Sequence, residues 1–384
     1  MPDIVRVAVN GYGVIGKRVA DAVRAQPDME LAGVSDVTTD YRIKTAVVLG
    51  LPVYASVPEK AAEMEAAGIQ VAGTLDDLLK KIDVAVDCTP KGIGAKNLAR
   101  YRAAGVKAIL QGGEKHEVTG HSFVAQANYD SALGRDATRV VSCNTTATVR
   151  TLGALKSAGL LGKARGVLIR RATDPWEADH TGIMNTVVPE AHIPSHQGPD
   201  AQTVLPDLDV ITVAARAAHT QCHLHYWIVE LTRTASRDEV LDAFRAAPRI
   251  ALVRMQDGVV ALNSTVELMR DLGRPRGDLW EVALWEDVLA VRGREAIYTY
   301  QVFNEAIVVP ETIDAIRALA GSVTDGAASI ALTDRALGIR RDFLVPAAEP
   351  APAARPRRDR LRRIRTQAER PSEVGVSDLR KRMS

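Results

Sequence analysis

A cysteine at the junction of a predicted strand and a predicted helix is the first residue that could do chemistry. Cys143 stands in the run Val141-Ser-Cys-Asn-Thr-Thr146, and we expect a helix over residues 145–158. The dipole at a helix N-terminus lowers the pKa of a thiol, and the thiolate is a nucleophile. The segment taken alone also allows an inert thiol, buried at the end of a strand.

Two histidines on one predicted strand are candidate partners for this cysteine. His223 and His225 lie two residues apart, so their side chains point to the same face of the strand, and the spacing does not choose between them. The pair could also be structural, or half of a zinc site. Because no carboxylate or cysteine cluster completes such a site, we expect no metal. Cys222 adjoins the histidines, whereas Cys88 stands in an apolar run typical of a buried thiol.

A glycine-rich turn follows the first predicted strand, at residues 5–9. The run Asn10-Gly11-Tyr-Gly13-Val-Ile-Gly16 matches the dinucleotide-binding fingerprint and leads into a predicted helix at residues 17–25. Gly11 permits the tight turn, Gly13 lets a pyrophosphate approach the backbone, and Gly16 lets the helix pack closely on the strand. The alternative is a tight turn in an α/β domain that binds no nucleotide.

An acidic residue follows the second predicted strand. Asp36 lies twenty residues beyond Gly16, where a carboxylate binds the ribose hydroxyls of NAD and repels the 2′-phosphate of NADP. NAD is therefore the favoured cofactor. The nearby Arg42 and Lys44 leave NADP open, and Asp36 could also be a solvated turn residue.

Two arginines and a turn-rich loop add groups that bind anions. Arg170 and Arg171 are adjacent on a predicted strand and point to opposite faces, so one can serve a site while the other forms a structural ion pair. The loop at residues 194–200 presents His196 and Gln197, and loops of this kind often carry binding groups. Each of these residues, taken singly, could be an ordinary surface residue.

The elements that position these residues predict an α/β fold. Short apolar runs alternate with amphipathic helices through the first ~110 residues, which is typical of βαβ units and a parallel sheet. The longer, more widely spaced strand-like runs that follow indicate a mixed or antiparallel sheet. We therefore predict a Rossmann dinucleotide-binding domain (1–141), an α+β catalytic and substrate domain (142–303), a C-terminal helical segment (304–345) and a Pro/Ala- and Arg-rich disordered tail (346–384).

Length, composition and charge limit the class of protein. The 384 residues exceed the roughly 250–300 at which one core stops growing, and 46% hydrophobic with 25% charged residues are ordinary globular values. No run is long and apolar enough for a membrane span, and three cysteines suit a reducing cytoplasm. Residues 355–384 carry eleven Lys or Arg against four Asp or Glu, so the rest of the chain is mildly acidic. Nucleic acid binding is therefore not expected, except through the tail.

Taken in order, these motifs resemble archaeal-type (type II) phosphorylating glyceraldehyde-3-phosphate dehydrogenase. The resemblance covers about residues 5–339. It rests on the runs quoted above and on Gln111-Gly-Gly-Glu-Lys115, Ile307-Val-Val-Pro-Glu and Ile313-Asp-Ala-Ile-Arg317. It implies a homotetramer and a final helix that packs back on the Rossmann domain.

The resemblance also implies roles for individual residues. Cys143 would be the nucleophile and His223, the first of the pair, the general base. The cofactor positions that it implies are Val14, Ile15, Gly112, Arg171 (alternatively Arg170) and Asn304. The substrate positions that it implies are Ser142, Cys143, Asn144, Thr145, Arg170, His196 and Gln197.

The reaction implied by the resemblance joins glyceraldehyde 3-phosphate, NAD(P) and inorganic phosphate. The thiolate adds to the aldehyde, His223 takes the hydroxyl proton as hydride leaves, and phosphate attacks the resulting thioester to give 1,3-bisphosphoglycerate. One alternative is another thioester-forming dehydrogenase, for aspartate semialdehyde or N-acetylglutamyl phosphate. The other is a paralogue whose basic tail binds RNA or an acidic partner.

Four positions depart from the family's usual pattern. Asp36 stands where many members have Lys, and Gln197 replaces the second residue of a His-His pair. Asn304 is one methylene shorter than the usual Gln, and residues 219–222 are more polar than in the family. We expect these changes to affect cofactor choice and substrate affinity without removing a catalytic group.

Overall fold

The computed structural model describes residues 4–111, 113–172 and 187–345. The chain divides into two units, Met1–Pro346 and Ala347–Ser384, and every described residue belongs to the first. The predictions for Gly112 and for the tail lie outside the described residues.

The first part of the chain forms an eight-stranded parallel sheet, as the alternation of strands and helices predicts. Its strand order is β4-β3-β2-β1-β5-β6-β8-β7. The strands are β1 (Val5–Asn10), β2 (Met29–Asp36), β3 (Val53–Ala55), β4 (Val71–Thr74), β5 (Val84–Asp87), β6 (Lys107–Leu110), β7 (Ser122–Phe123) and β8 (Ala137–Val140). The helices between them are α1 (Val14–Ala25), α2 (Tyr41–Val48), α3 (Ala61–Ala66), α4 (Leu75–Leu79), α5 (Ile93–Ala103), α6 (His116–Thr119) and α7 (Ala125–Asn128).

The order of this sheet creates a crevice beside β1. The chain adds β2, β3 and β4 on one side of β1 and then places β5 on the other, so the connections leave in opposite directions. Ligands of open α/β sheets bind at such a point, beyond the carboxyl ends of the strands. The glycine-rich turn and Asp36 both lie at this edge, because they follow β1 and end β2.

The second sheet is mixed, which confirms the α+β prediction. Its order is β10-β11-β9-β12-β16-β14-β13, with β15 paired to β16, and β9 lies between parallel β11 and antiparallel β12. The strands are β9 (Leu161–Arg171), β10 (Val187–Pro189), β11 (Asp209–Ala217), β12 (His223–Leu231), β13 (Ile250–Val253), β14 (Val282–Trp285), β15 (Ala290–Arg292) and β16 (Glu295–Val302). The helices of this part are α8 (Cys143–Ser157), α9 (Gln197–Gln202), α10 (Arg237–Ala246), α11 (Leu262–Asp271), α12 (Val308–Ala320) and α13 (Gly326–Leu337).

Helix α8 begins two residues earlier than the sequence pattern predicts. Ser142 is its N-cap, and the Ser142 hydroxyl accepts a hydrogen bond from the Thr145 N–H at 3.3 Å. A serine cap satisfies one of the free amides of the first turn, so the helix starts at Cys143. The nucleophile candidate is thus the first helical residue.

Helix α12 connects the two sheets. It packs against α1 and against β5, β6 and β8 of the first sheet. Its Glu311 is fully buried and accepts hydrogen bonds from Arg150 of α8 at 2.5 Å and from Arg249 at 3.0 Å. Burial opposes ionisation of Glu311, but the two guanidinium groups lower the pKa of its carboxyl. This buried ion cluster fixes α8, and with it Cys143, relative to the first sheet.

No helix in the described ranges is long and apolar enough to cross a membrane.

Candidate active site

A cavity of about 690 Å³ lies at the crevice beside β1. Its walls bring together most of the positions predicted to hold a cofactor. They are Gly11, Gly13, Val14, Ile15, Asp36, Arg171 and Asn304. Gly16 packs behind the wall, and Gly112 is not among the described residues.

The three glycines of the turn occupy different surroundings. Gly11 has φ +91°, and a Cβ there would lie 2.8 Å from the carbonyl carbon of Cys88. A Cβ on Gly16 would lie 1.9 Å from the Gly11 oxygen, so helix and strand pack too closely for any side chain. A Cβ on Gly13 would meet nothing within 4 Å, because its backbone faces the open cavity. The turn can therefore admit a pyrophosphate to the backbone.

The Asp36 carboxylate is fixed at the end of this cavity by three backbone amides. Its Oδ2 accepts the Tyr12 N–H at 2.6 Å, and its Oδ1 accepts the N–H groups of Val37 and Thr38 at 2.7 and 3.1 Å. Arg42 lies in the same wall and donates to the carboxylate of Asp40 at 2.6 Å. A negative charge is thus held where the ribose of a dinucleotide would lie.

Two polar atoms in the walls indicate that a ligand completes the cavity. Thr38 Oγ1 and Asn304 Oδ1 are buried, and neither forms a hydrogen bond within the described part of the chain. Buried polar atoms are normally satisfied, so both atoms require a partner. A nicotinamide dinucleotide carries hydroxyl and carboxamide groups that can supply one, and the residues present fit that cofactor.

Cys143 lies beside His223 and not beside His225. The Cys143 Sγ and the His223 Nε2 are 3.5 Å apart. Both imidazoles point from β12 toward α8, as their spacing predicts, but His225 Nε2 contacts the Asn144 Oδ1 at 2.8 Å. The register of α8 against β12 thus decides which histidine meets the sulfur. Among the described residues no cluster of three or more His, Cys, Asp or Glu could hold a metal ion.

The tautomer of His223 follows from its second contact. The Arg171 backbone N–H donates to His223 Nδ1 at 3.0 Å, so the neutral ring carries its hydrogen on Nε2, facing the sulfur. Burial lowers the pKa of His223 well below its ordinary value, and the positive charges of Arg171 and Arg170 lower it further. The ring is therefore neutral and presents a hydrogen-bond donor to the reacting atoms.

The Cys143 thiol experiences opposing influences. Burial raises its pKa to about 11, while the charges of Arg171 and Arg170 and the Asn144 N–H favour the thiolate. The lowered pKa that we expected from the helix N-terminus therefore meets a larger cost of desolvation. The resting group is a thiol.

A second cavity, of about 590 Å³, contains Arg170 and His196. Arg216 and His192 also line it, and Arg170 forms an ion pair with Glu190. Arg170 and Arg171 thus belong to different cavities, which agrees with their opposite directions on β9. Arg170 and His196 were predicted from the sequence, whereas Arg216 and His192 belong to no motif and were not.

Gln197 begins a helix where the sequence predicts a loop. Gly198 and Pro199 favour a turn, but proline is compatible with the first turn of a helix, and α9 starts at Gln197. The Gln197 side chain is fully buried, and neither atom of its amide has a hydrogen-bond partner in the ranges that the structure describes. His196, by contrast, is exposed.

Ser142 and Thr145 connect the start of α8 to α9. Their hydroxyl oxygens lie 2.9 Å apart, and the Thr145 hydroxyl donates to Asp200 at 2.7 Å. Arg139 donates to the other oxygen of Asp200 at 2.7 Å. Thr145 is fully buried and therefore supports the turn that carries Cys143. No motif in the sequence indicates that Asp200 or Arg139 belongs to this network.

Glu305 is a further acidic residue that the motifs did not indicate. It is 3% exposed, lines the cofactor cavity, and has an oxygen 4.0 Å from the Arg171 Nε. Burial raises the pKa of its carboxyl, against the charges of Arg171 and Arg18. In the sequence, only its position next to Asn304 indicated that Glu305 could belong to the site.

Comparison with known proteins gives two family matches and several similar relatives. Residues 142–273 match the C-terminal domain of glyceraldehyde 3-phosphate dehydrogenase, and residues 5–117 match the N-terminus of dihydrodipicolinate reductase. The glyceraldehyde-3-phosphate dehydrogenase of Methanobrevibacter smithii is 47% identical over 87% of this chain and 99% of its own length. The enzymes of that name from Metallosphaera sedula and Thermococcus kodakarensis are 45% and 46% identical, over 89% and 87% of this chain and 100% and 99% of their own lengths.

The raised pKa of Cys143 predicts the pH dependence of its alkylation. Since only the thiolate reacts and the pKa is about 11, the rate with iodoacetamide in the ligand-free protein should rise about tenfold per pH unit between pH 7 and 9. The rate is measured by mass spectrometry of the modified peptide, with Cys143→Ser as the control that should remain unmodified there. A plateau below pH 8 would mean that the arginines and the helix N-terminus outweigh burial.

Proposed function

The chain belongs to the archaeal-type glyceraldehyde-3-phosphate dehydrogenase family, and from this premise we propose how its site performs the reaction. It is an oxidoreductase that uses a nicotinamide cofactor to oxidise glyceraldehyde 3-phosphate. The observation that carries our proposal is the 3.5 Å contact between Cys143 Sγ and His223 Nε2, at the first turn of α8. Arg171 lines the first cavity and Arg170 the second, and the positive charge of each favours the thiolate form of Cys143.

The first step joins the substrate to Cys143. The sulfur forms a bond to the aldehyde carbon, the electron pair of the C=O bond moves to oxygen, and the thiol proton passes to that oxygen, which gives a hemithioacetal. His223 Nε2–H is directed at this region and stabilises the negative oxygen as a donor. When hydride leaves the carbon, the hydroxyl also loses its proton, and His223 can take that proton at Nε2 only after the ring hydrogen has moved from Nε2 to Nδ1, which breaks the hydrogen bond from Arg171. We therefore propose donation as its first role.

The second half of the reaction releases an acyl phosphate. When bound, the nicotinamide ring supplies the hydride acceptor, and residues of the first cavity from Gly11 to Asn304 would hold the cofactor. The thioester on Cys143 is then open to attack by inorganic phosphate, which forms the acyl phosphate and returns the thiolate. Arginine pairs well with phosphate, so we propose the cavity of Arg170, His196 and Arg216 for the phosphate groups.

The reaction predicts a specific dependence on phosphate. With glyceraldehyde 3-phosphate, NAD and phosphate, we expect steady NADH formation at 340 nm, whereas omission of phosphate should leave about one NADH per site because the thioester persists. Cys143→Ser should lower the rate by at least about 10³-fold, since it removes the nucleophile. Faster turnover of aspartate semialdehyde or N-acetylglutamate semialdehyde would instead favour one of the related thioester-forming dehydrogenases.

We propose NAD as the preferred nicotinamide cofactor. Three amides hold the Asp36 carboxylate in the cavity wall, so it cannot swing away from a 2′-phosphate. Arg42 could pair with that phosphate, but its guanidinium already contacts Asp40. The fixed negative charge therefore opposes NADP more strongly than Arg42 favours it.

Neutralising Asp36 should change the choice of cofactor. Asp36→Asn is expected to lower the ratio of kcat/KM for NAD over NADP by about tenfold or more, because a repulsion of ~1.4 kcal/mol corresponds to tenfold in affinity. Asp130→Asn removes an exposed carboxylate that does not line the cofactor cavity, and it serves as the control. An unchanged ratio in Asp36→Asn would show that another group selects the cofactor.

We propose that the second sheet mediates assembly into a homotetramer. One of its faces is covered by α8 and α10, whereas the other exposes apolar side chains on neighbouring strands. Val167, Tyr226 and Ile228 are 45%, 41% and 47% exposed, and Val167 lies directly opposite Tyr226 in the register. A second copy of the same sheet would bury this face, since sheets with apolar faces pack on one another.

We also propose a cytoplasmic location, because a reducing compartment keeps Cys143 a free thiol.

A charge on this face should break the assembly. Light scattering of the purified protein is expected to give about four times the 41.3 kDa chain mass, and Tyr226→Asp should give a smaller species. Tyr41→Asp, at an exposed position on α2, is the control that should keep the native mass. An unchanged mass in Tyr226→Asp would place the interface elsewhere.

A further inference from the structure

A chain of buried polar side chains ends on the residue next to Cys143. The Trp227 Nε1–H donates to the Tyr300 hydroxyl at 2.9 Å, and that hydroxyl lies 3.0 Å from the His225 Nδ1. The His225 Nε2 lies 2.8 Å from the Asn144 Oδ1. The first three side chains are fully buried, and Asn144 is 3% exposed.

The direction of the hydrogen bonds follows from both ends of the chain, because the Trp227 N–H can only donate and the Asn144 Oδ1 can only accept. An indole N–H can only donate, so the Tyr300 oxygen accepts from Trp227 and its own hydrogen is available to His225 Nδ1. A neutral ring that accepts at Nδ1 carries its hydrogen on Nε2, so His225 donates to Asn144. The amide of Asn144 presents its oxygen to His225, so its NH₂ group is directed away from the ring.

The fold places this chain as a rigid support under the start of α8. His225 and Trp227 are two residues apart on β12 and share its buried face, and Tyr300 is the direct partner of His225 on β16. Burial lowers the pKa of His225 to about 3, and the charge of Arg170 adds to the effect. The ring consequently stays neutral across the working range of pH, and the direction of the chain does not change.

The free end of the chain is the NH₂ group of Asn144, the residue next to Cys143. No residue in the described ranges accepts a hydrogen bond from Asn144 Nδ2, although the Oδ1 of the same amide is held. Asn144 is the second residue of α8 and follows Cys143 directly. An amide NH₂ held in this position is suited to an oxygen that becomes negative when the sulfur attacks the adjacent carbon.

We propose that His225 is a positioning residue, which, together with Tyr300 and Trp227, orients the Asn144 amide so that its NH₂ group donates to the substrate oxygen during attack by Cys143. The proposal rests on the function proposed above, because it concerns the oxygen of that aldehyde. It differs from a purely structural role, in which the four groups only satisfy one another's hydrogen bonds and His225 affects stability alone.

The first experiment compares two substitutions of His225 in the full chain. His225→Leu removes the donor and should slow the single-turnover burst of NADH by about 10- to 100-fold, below the roughly 10²–10³-fold cost of losing an oxyanion donor outright. The affinity for NAD and the alkylation rate of Cys143 should stay within about twofold. His225→Gln has an amide that can still donate to Asn144, and its burst should stay within about fivefold of the wild type. A burst in His225→Leu equal to that of the wild type would overturn the proposal.

A double-mutant cycle tests whether His225 acts through Asn144. Asn144→Ala should slow the burst by about 10²–10³-fold, and adding His225→Leu to it should cost less than about twofold more. Independent, multiplied losses would show that His225 acts by another route.

A second pair of variants covers the case in which His225→Leu does not fold. Tyr300→Phe keeps the ring and removes the hydroxyl that fixes the His225 tautomer, and we expect a burst about three- to tenfold slower, again absent in the Asn144→Ala background. Tyr298→Phe is the matched control, because its hydroxyl is also buried on β16 but forms no hydrogen bond to His225, Trp227 or Asn144. Equal rates in both tyrosine variants would contradict the proposal.

A measurement without substrate separates this proposal from the proposed function. The ¹⁵N NMR signals of the His225 ring should show a neutral ring with its hydrogen on Nε2 from pH 5 to 9. A hydrogen on Nδ1 would overturn the proposal even in an active enzyme. A protein that did not oxidise glyceraldehyde 3-phosphate but showed the Nε2–H ring would instead refute the proposed function and leave the orientation of Asn144 established.

Discussion

The buried cluster around Glu311 is the constraint on which the site depends. The first sheet contributes the cofactor cavity and the second contributes the histidine and the arginines, while the nucleophile lies on α8 between them. Glu311 binds Arg150 of α8 and Arg249, and α12 packs on the first sheet. Charges buried in this way gain little net stability, but their fixed geometry specifies one arrangement of the two parts.

Burial determines the electrostatics of the reacting groups. Cys143 and His223 both lie in surroundings that disfavour charge, and the hydrogen bond from the Arg171 amide keeps the imidazole in a donating form. Cys143 and His223 are therefore both uncharged before the substrate arrives. The His223 N–H group is instead directed at the atoms where charge develops during the reaction. In surroundings of low dielectric constant, a hydrogen-bond donor fixed in this way stabilises the transition state strongly.

Local sequence patterns predicted the elements that depend on interactions between residues close together in the chain. The parallel sheet, the glycine-rich turn and the strand before Cys143 followed from alternation and spacing. Which histidine meets Cys143 did not, because a spacing of two residues places both rings on one face and only the packing of α8 on β12 distinguishes them. Asp200, Glu305 and Tyr300 act through partners 55 to more than 130 residues away, and a single sequence carries no sign of such contacts. No element was predicted between residues 233 and 287, where the structure has α10, β13, α11 and β14.

The adjacent arginines on β9 have a consequence for how the enzyme can diversify. Arg171 lines the first cavity and Arg170 the second, because consecutive side chains of a strand point to opposite faces. Substitutions in the cavity of Arg171 can thus change the preference for a dinucleotide while the cavity of Arg170 keeps its shape. Substitutions in the cavity of Arg170 can likewise change phosphate binding without altering the cofactor cavity. The insertion of one residue before this pair would exchange the two guanidinium groups and spoil both cavities at once. The geometry of the two cavities therefore depends more on the length of this strand than on the residue types along it.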